Sequence, residues 1–334
     1  MKKFLVITSI DKPSALLKQI SKKSLEHSVS LIVVGDRKSP NNFKLKNTIF
    51  LSLKNQKKQN ISYASLCPEN SYARKNIGYL YAMKKDANII YETDDDNELL
   101  DSFYSLKPIK KNVYTIRNGG WVNIYSYFSN KQIWPRGFPL SEIQKNKIES
   151  SKLNKKIEHS PINQRLCDEN PDVDAVFRLI KKIPFNFKKS KDIALSKNSW
   201  CPFNSQNTVW HKEAYPLMYL PAYASFRMAD IWRSLIAQRI CWENNWSILH
   251  SNSTVIHKRN DHNIMKDFND EIPGYLNNDA IAKNLSKLKL RKGTGNLAYN
   301  LVKCYKLFCK ENLLNYKELK LLDCWLKDIK MITQ

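Results

Sequence analysis

The chain has 334 residues, room for one large domain with an appendage or for two domains, and 42% of them are apolar. That apolar share and only eight glycines exclude a disordered, collagen-like or loop-dominated protein. Lysine and arginine number 55 against 31 acids, a net charge of +24, which draws anionic partners without choosing among nucleotide, acidic glycan, anionic lipid surface and nucleic acid.

Phe4–Ile7 is a short apolar run behind two lysines that stops at Thr8, too soon for a signal peptide, so it reads as a first strand. Ser30–Gly35 is a second continuous run, as strands buried on both faces give, and Pro13–Lys22 between them has helical spacing through Leu16, Leu17 and Ile20. A third strand is predicted over Thr48–Leu51, a helix over 72–86 with Ile77, Leu80 and Tyr81 on one side, and a strand over 88–92. Strands alternating with helices predict an α/β fold: a mostly parallel nucleotide-binding sheet flanked by helices, with ligands at the carboxyl ends of the strands.

Asp36 closes the second strand, where an acid can accept hydrogen bonds from a ribose or base; a turn or cap aspartate is the plainer alternative. Arg74, Lys75 and Asn76 open the helix before the next strand, although the helix dipole disfavours cations there. A diphosphate held by backbone amides, Arg74 and Asn76 would account for them, as would a solvated basic turn. The run Ile89–Thr93 then ends in Asp94, Asp95 and Asp96. Carboxylates crowded at a buried strand's end repel one another unless a cation sits among them. In an extended chain Asp94 and Asp96 point to one side and Asp95 to the other. Two carboxylates on one side suit Mg²⁺ or Mn²⁺, which takes one or two protein carboxylates plus substrate phosphate oxygens. Asp95 is expected on the donor, and the glycine and glutamate of an EF-hand are missing.

Residues 141–157 are polar and predict an exposed excursion, and a helix is predicted over 231–243. Asp230 heads that helix and reads equally as its N-cap or as a general base taking the proton of an attacking hydroxyl. His257 closes the apolar strand Ser253–Ile256 and is expected at the metal or a phosphate, whereas His211 and His262 read more weakly and could be ordinary surface residues. Beyond residue 266 two amphipathic helices are predicted, over 296–309 and 313–330, either packed on the main domain or facing a membrane surface or partner. The domain organisation expected is 1–265 catalytic, divided at about 100 into nucleotide-binding and acceptor halves, with 266–334 as a C-terminal helical extension. The seven cysteines include no CxxC pair, which fits a reducing compartment, and no run approaches the roughly 18 apolar residues of a membrane span, so a cytoplasmic protein is expected, with peripheral membrane contact left open.

The order of these pieces resembles the GT-A glycosyltransferase plan, whose DxD motif, base and late histidine would fall on Asp94–Asp96, Asp230 and His257. Longer strings resemble the STELLO family: Arg74–Ala82, Ile133–Leu140 (IWPRGFPL), Asn170–Leu179 (NPDVDAVFRL), Pro202–Thr208 (PFNSQNT) and Asp230–Arg233 with Gln238 and Arg239. The resemblance runs over about residues 1–262 and leaves the tail outside. It implies transfer of a sugar from a nucleoside-diphosphate donor to a glycan or lipid-linked glycan acceptor, in cell-surface polysaccharide synthesis, with inversion if Asp230 is the base. Trp134, Arg136, Asn204, Gln206 and Asn207 have the types of a sugar pocket and equally of loop anchors. Asp172 and Asp174 rival Asp230 as base or bind donor hydroxyls. Two other readings remain: a nucleotidyltransferase, which would release pyrophosphate, and a basic nucleic-acid-binding protein, which the acidic cluster opposes and for which no RNA-binding signature speaks.

Overall fold

The computed structural model describes residues 1–144, 148, 153–259 and 263–333, so His262 and most of the centre of the 141–157 segment lie outside the described residues. The first hundred residues form β1 (Lys3–Thr8), α1 (Ala15–Glu26), β2 (Ser30–Val34), β3 (Thr48–Leu51), the short α2 (Leu53–Lys57) and α3 (Ser62–Leu66), a 3-10 turn Tyr72–Arg74 running into α4 (Lys75–Lys84), β4 (Ile89–Thr93) and β5 (Asn97–Leu99). Next come β6 (Lys110–Ile116), β7 (Gly120–Trp121), α5 (Ile124–Tyr127), β8 (Asn154–Asp168), α6 (Ala175–Ile180), β9 (Ile193–Leu195), β10 (Ser199–Trp200) and β11 (Asn207–His211). The chain closes with α7 (Ala229–Trp242), β12 (Trp246–His257), α8 (Ile264–Lys287), α9 (Leu297–Lys310) and α10 (Lys317–Thr333).

The main sheet runs β3-β2-β1-β4-β11-β8-β6-β9-β12-β5. Its first four strands are parallel, as the alternating pattern predicts. Beyond them the sheet is mixed, because β11 returns antiparallel to β4 and to β8. The expectation of a mostly parallel sheet is thus corrected for the second half. There β8 pairs with β6 on one edge and β12 on the other, and β9 joins β6 to β12, so these four strands close on themselves. The polar 141–157 segment is not all excursion either, since β8 begins at Asn154.

Strand alternation explains why the parallel strands read as unbroken apolar runs. Leu5, Ile7, Leu31, Val33, Ile89 and Tyr91 pack on one face with Leu17 and Ile20 of α1. Phe4, Val6, Ile32, Val34 and Ile90 pack on the other with Ile77 and Leu80 of α4. Ser14 caps α1 by accepting from the Leu17 amide at 3.0 Å. Gly78 lets α4 lie close on the sheet: a Cβ there would sit 2.6 Å from methyls of both Val6 and Val34. Gly78→Ala is therefore expected to destabilise the protein by about 1–3 kcal/mol by overpacking. Chemical denaturation checks this, and unchanged stability would mean α4 can lift freely.

The C-terminal helices belong to the same core. Leu301, Tyr305 and Phe308 of α9 and Leu321, Leu322 and Trp325 of α10 join the cluster that holds α4. Buried acids sew the tail down: Asp328 accepts from the amides of Ser62 and Tyr63 at 3.0 and 2.8 Å, and Glu318 from those of Ala222 and Tyr223 at 3.1 and 2.8 Å. Of the two readings of the helical pair, packing on the main body is the one observed. No helix among the described residues is long and apolar enough to cross a membrane.

Candidate active site

The apolar run of β4 ends at Thr93, and Asp95 and Asp96 make the turn into β5. A turn, unlike an extended chain, fans its side chains apart. Asp94 Oδ1 receives Lys75 Nζ and Tyr72 Oη, each at 3.2 Å. Asp95 Oδ2 receives Ser9 Oγ at 2.5 Å, from the loop after β1. Asp96 Oδ2 lies 3.0 Å from His257 Nε2, at the end of β12. The three carboxylates thus have three different partners, with Asp96 and His257 near enough for their charges to act on Asp94. Burial raises the pKa of Asp94 against the pull of Lys75, and burial with its two neighbours' charge pushes Asp95 to about 6, against the Ser9 hydrogen bond.

The loops after the first two strands close round this turn. Ser39 Oγ donates to the Ser9 carbonyl and accepts from the Asp36 amide, both at 2.9 Å. Asp36 itself accepts from the amides of Asn70 and Ser71 at 2.9 and 3.0 Å, fixing the entry to the Tyr72 turn. Its carboxylate, expected on a nucleoside, serves the loop in this structure.

Arg74 does not face the turn, which corrects its expected phosphate role. It is buried, with Nε donating to Gln56 Oε1 and Nη1 to the Cys67 carbonyl, both at 3.0 Å. Asn76 is likewise structural: its amide donates to Tyr63 Oη and the Leu220 carbonyl and accepts from the Leu220 amide. The cation that faces the acids is Lys75 between them. Its ammonium is fully buried and also lies 2.9 Å from Tyr72 Oη and from the Thr93 carbonyl and 3.3 Å from the Ser205 carbonyl, so its three hydrogens are shared among four acceptors.

Behind Lys75 lies a second polar layer. Tyr72 Oη is 2.6 Å from Ser205 Oγ, which donates to Asp230 Oδ2 at 3.2 Å. Asp230 is not the N-cap of α7; it stands inside the first turn, and both its oxygens take Arg136 at 2.9 Å. Arg136 also grips Asp172 through Nε at 2.7 Å and Nη2 at 2.9 Å, and donates to the Arg227 carbonyl, so all five of its N–H groups are used. Burial alone would raise the Asp230 pKa, but Arg136 overcomes it and holds the group at about 2; the same cation lowers Asp172. A carboxylate so acidic and so fully bonded is a weak proton acceptor near neutrality. This corrects Asp230 and Asp172 as free bases, and the expectation of inversion loses its support with them.

The other expected sugar contacts are also interior. Trp134 is buried and donates to Asp174 Oδ2 at 2.7 Å, while Asp174 Oδ1 caps α6 at the Phe177 amide, also at 2.7 Å. Asn204 Oδ1 accepts from Gln164 at 3.0 Å, Gln206 reaches Asn97 at 3.4 Å, and Asn207 bridges the Leu166 carbonyl and Thr254. These side chains are committed to contacts within the interior, apart from Gln206 Oε1, which is buried without a hydrogen-bond partner. The other weakly placed histidine, His211, ends β11, and burial lowers its pKa to about 4.

Burial raises Asp174 to about 7, against its two hydrogen bonds. Between its unfolded value and pH 7 the native state binds that proton more tightly than the unfolded chain, so stability falls as pH rises across that window. Asp230, held at about 2, acts oppositely: its contribution is full above the unfolded carboxylate range and is lost as pH falls toward 2. His211 and His250, whose pKa values burial lowers to about 4 and about 3, contribute the opposite slope below the unfolded histidine value. The expected result is therefore a difference: from pH 5 to 7 the denaturation midpoint of Asp174→Asn should fall less, or rise more, with pH than that of wild type. An unchanged slope would contradict the assignment.

Among the described residues no three His, Cys, Asp or Glu side chains gather as a protein-only metal cage, so Asp94, Asp96 and His257 are not assembled as one ligand set. A hard divalent cation on a diphosphate does not need a cage, since it keeps waters and phosphate oxygens. The pair that fits is Asp96 with His257. The Asn170 carbonyl, 2.8 Å from His257 Nδ1, can only accept, so Nδ1 carries a hydrogen; Nε2 then either donates a second hydrogen to Asp96 or, in the neutral ring, turns a lone pair toward it. Two lone-pair atoms 3.0 Å apart require a proton or cation between them. Two ligands about 2.1 Å from one octahedral ion, at a right angle, stand about 3.0 Å apart.

Residues 227–334 match the family described as STELLO glycosyltransferases. That match includes the tail which the motif resemblance left outside. Along its whole length the chain is similar to "Probable glycosyltransferase STELLO2" of Arabidopsis thaliana, 26% identical over 349 residues that cover 99% of this chain and 45% of that protein. "Probable glycosyltransferase STELLO1" of the same plant is 29% identical over 261 residues, covering 72% of this chain and 33% of its own. The chain thus spans less than half the length of either relative.

Proposed function

We propose that this STELLO-like chain is a metal-dependent glycosyltransferase, moving a sugar from a nucleoside-diphosphate donor to a glycan or lipid-linked glycan acceptor in cell-surface polysaccharide synthesis. The observation that carries the reading is the turn Asp94–Asp96, set at the carboxyl end of a central strand between a buried lysine and a histidine whose Nε2 meets Asp96. In a sheet of this kind ligands bind outside the carboxyl ends of the strands. Asp96 and His257 would hold Mg²⁺ or Mn²⁺, with Asp94 beside them; the ion would neutralise charge on the departing diphosphate. Lys75 fixes Asp94 and keeps its charge tolerable in a buried setting. Ser9 and Ser39 hold the loops after β1 and β2 against the turn, where the nucleoside would lie over Asp36.

The test is product identity. Purified protein incubated with Mn²⁺ and a panel of nucleotide-sugars should release a nucleoside diphosphate. Release of pyrophosphate from nucleoside triphosphates, with nothing from nucleotide-sugars, would favour nucleotidyl transfer instead.

A further inference from the structure

Arg178, in α6, makes no close ion pair, although Asp172 and Asp267 attract it from further off. It donates from Nη2 to the Pro171 carbonyl at 2.8 Å, its Nε is buried without a hydrogen-bond partner, and no carboxylate comes within 4.0 Å of it among the described residues. Two more guanidiniums stand close by, and both are answered: Arg227 by Glu271 at 2.8 Å and Arg259 by Asp267. Burial first, then the charges of Arg259 and Arg227, lower the Arg178 pKa to about 9, against the attraction of Asp172 and Asp267. A half-buried cation facing two others, with an unused donor, is costly unless an anion joins it.

The position is next to the proposed chemistry. Pro171, which Arg178 holds, follows Asn170, and Asn170 donates to the His257 carbonyl at 3.1 Å while accepting from the His257 ring. One residue further on, Asp172 is gripped by Arg136. The planar fork of arginine suits a carboxylate or phosphate, which it can meet with two parallel N–H groups. We propose that Arg178, backed by Arg227 and Arg259, receives an oxyanion of the substrate: a carboxylate or phosphoryl group on the acceptor, or an oxygen of the donor's diphosphate. This rests on the glycosyltransferase reading for the word substrate, but the anion site is testable without turnover.

The experiment is an NMR titration of the full chain, fitting dissociation constants for glucuronate, glucose, and uridine or guanosine diphosphate with Mn²⁺ from the backbone amide resonances of α6 in all variants, and following the Arg178 Nε–H resonance as well in wild type. Arg178→Gln should weaken the bound anion about tenfold or more, the worth of one charged hydrogen bond, and Arg178→Lys should weaken it less. A loss confined to glucuronate assigns the oxyanion to the acceptor, and a loss confined to the nucleotides assigns it to the donor. Glucose should not distinguish wild type from either variant. The proposal is overturned if glucuronate and both nucleotides bind Arg178→Gln and Arg178→Lys as they bind wild type, or if none of them moves the Arg178 resonance. Anion binding without nucleotide-sugar turnover would sink the enzyme reading and leave the site standing.

Discussion

Arg136→Met should cost about 3–5 kcal/mol of stability, because it strands Asp172 and Asp230 as buried charges with their shared cation gone. The side chain of Met fills similar space, so the loss would come from charge and hydrogen bonding more than from a cavity. Two further results separate this account from simple misfitting. The penalty should shrink as pH falls, since protonation relieves both acids. Neutralising them as well, with Asp172→Asn and Asp230→Asn, should recover much of the loss, as replacing a whole buried ion network often does. A full penalty in acid, with no recovery in the triple variant, would mean that packing governs the site.

Asp96→Ala should lower kcat/KM for nucleotide-sugars by about 10²–10³-fold, the usual effect of removing one preorganised group that stabilises developing charge. The fold should tolerate it, because the Asp96 side chain is only partly buried and lies in a turn. His257→Ala is expected to act in the same direction, through the same pair. If Asp96→Ala retained its turnover while Lys75→Met lost it, the reaction would have to be placed on Asp94.

The first half of the fold is legible in the sequence because its strands are buried on both faces and its helices are amphipathic. The predicted third strand, Thr48–Leu51, coincides with β3, and the acidic cluster falls at the end of β4. The second half was harder. β8 begins among the lysines and asparagines of a polar segment, and closure of β8, β6, β9 and β12 depends on pairings far apart in the chain. Within the site, residue type is legible in the sequence but the direction of a side chain is not. Arg74, Lys75 and Asn76 are adjacent, and only the phase of α4 decides which one reaches the acids; Lys75 does, while Arg74 turns to Gln56. Arg136 reads as a sugar contact and Asp172 and Asp230 as rival bases, but Arg136 supplies the charge that both acids need, a pairing no spacing reveals. Tyr72 and Ser205 carried no signal beyond lying in or beside the recognised segments.

The central claim is that the turn Asp94–Asp96 binds a divalent ion together with a nucleoside diphosphate. Calorimetric titration of uridine and guanosine diphosphates, with and without Mn²⁺, into wild type and Asp96→Ala tests it most directly. Metal-dependent heat for at least one nucleotide in wild type, absent in the variant, is the expected result; equal binding by both proteins, or none by wild type, would contradict it.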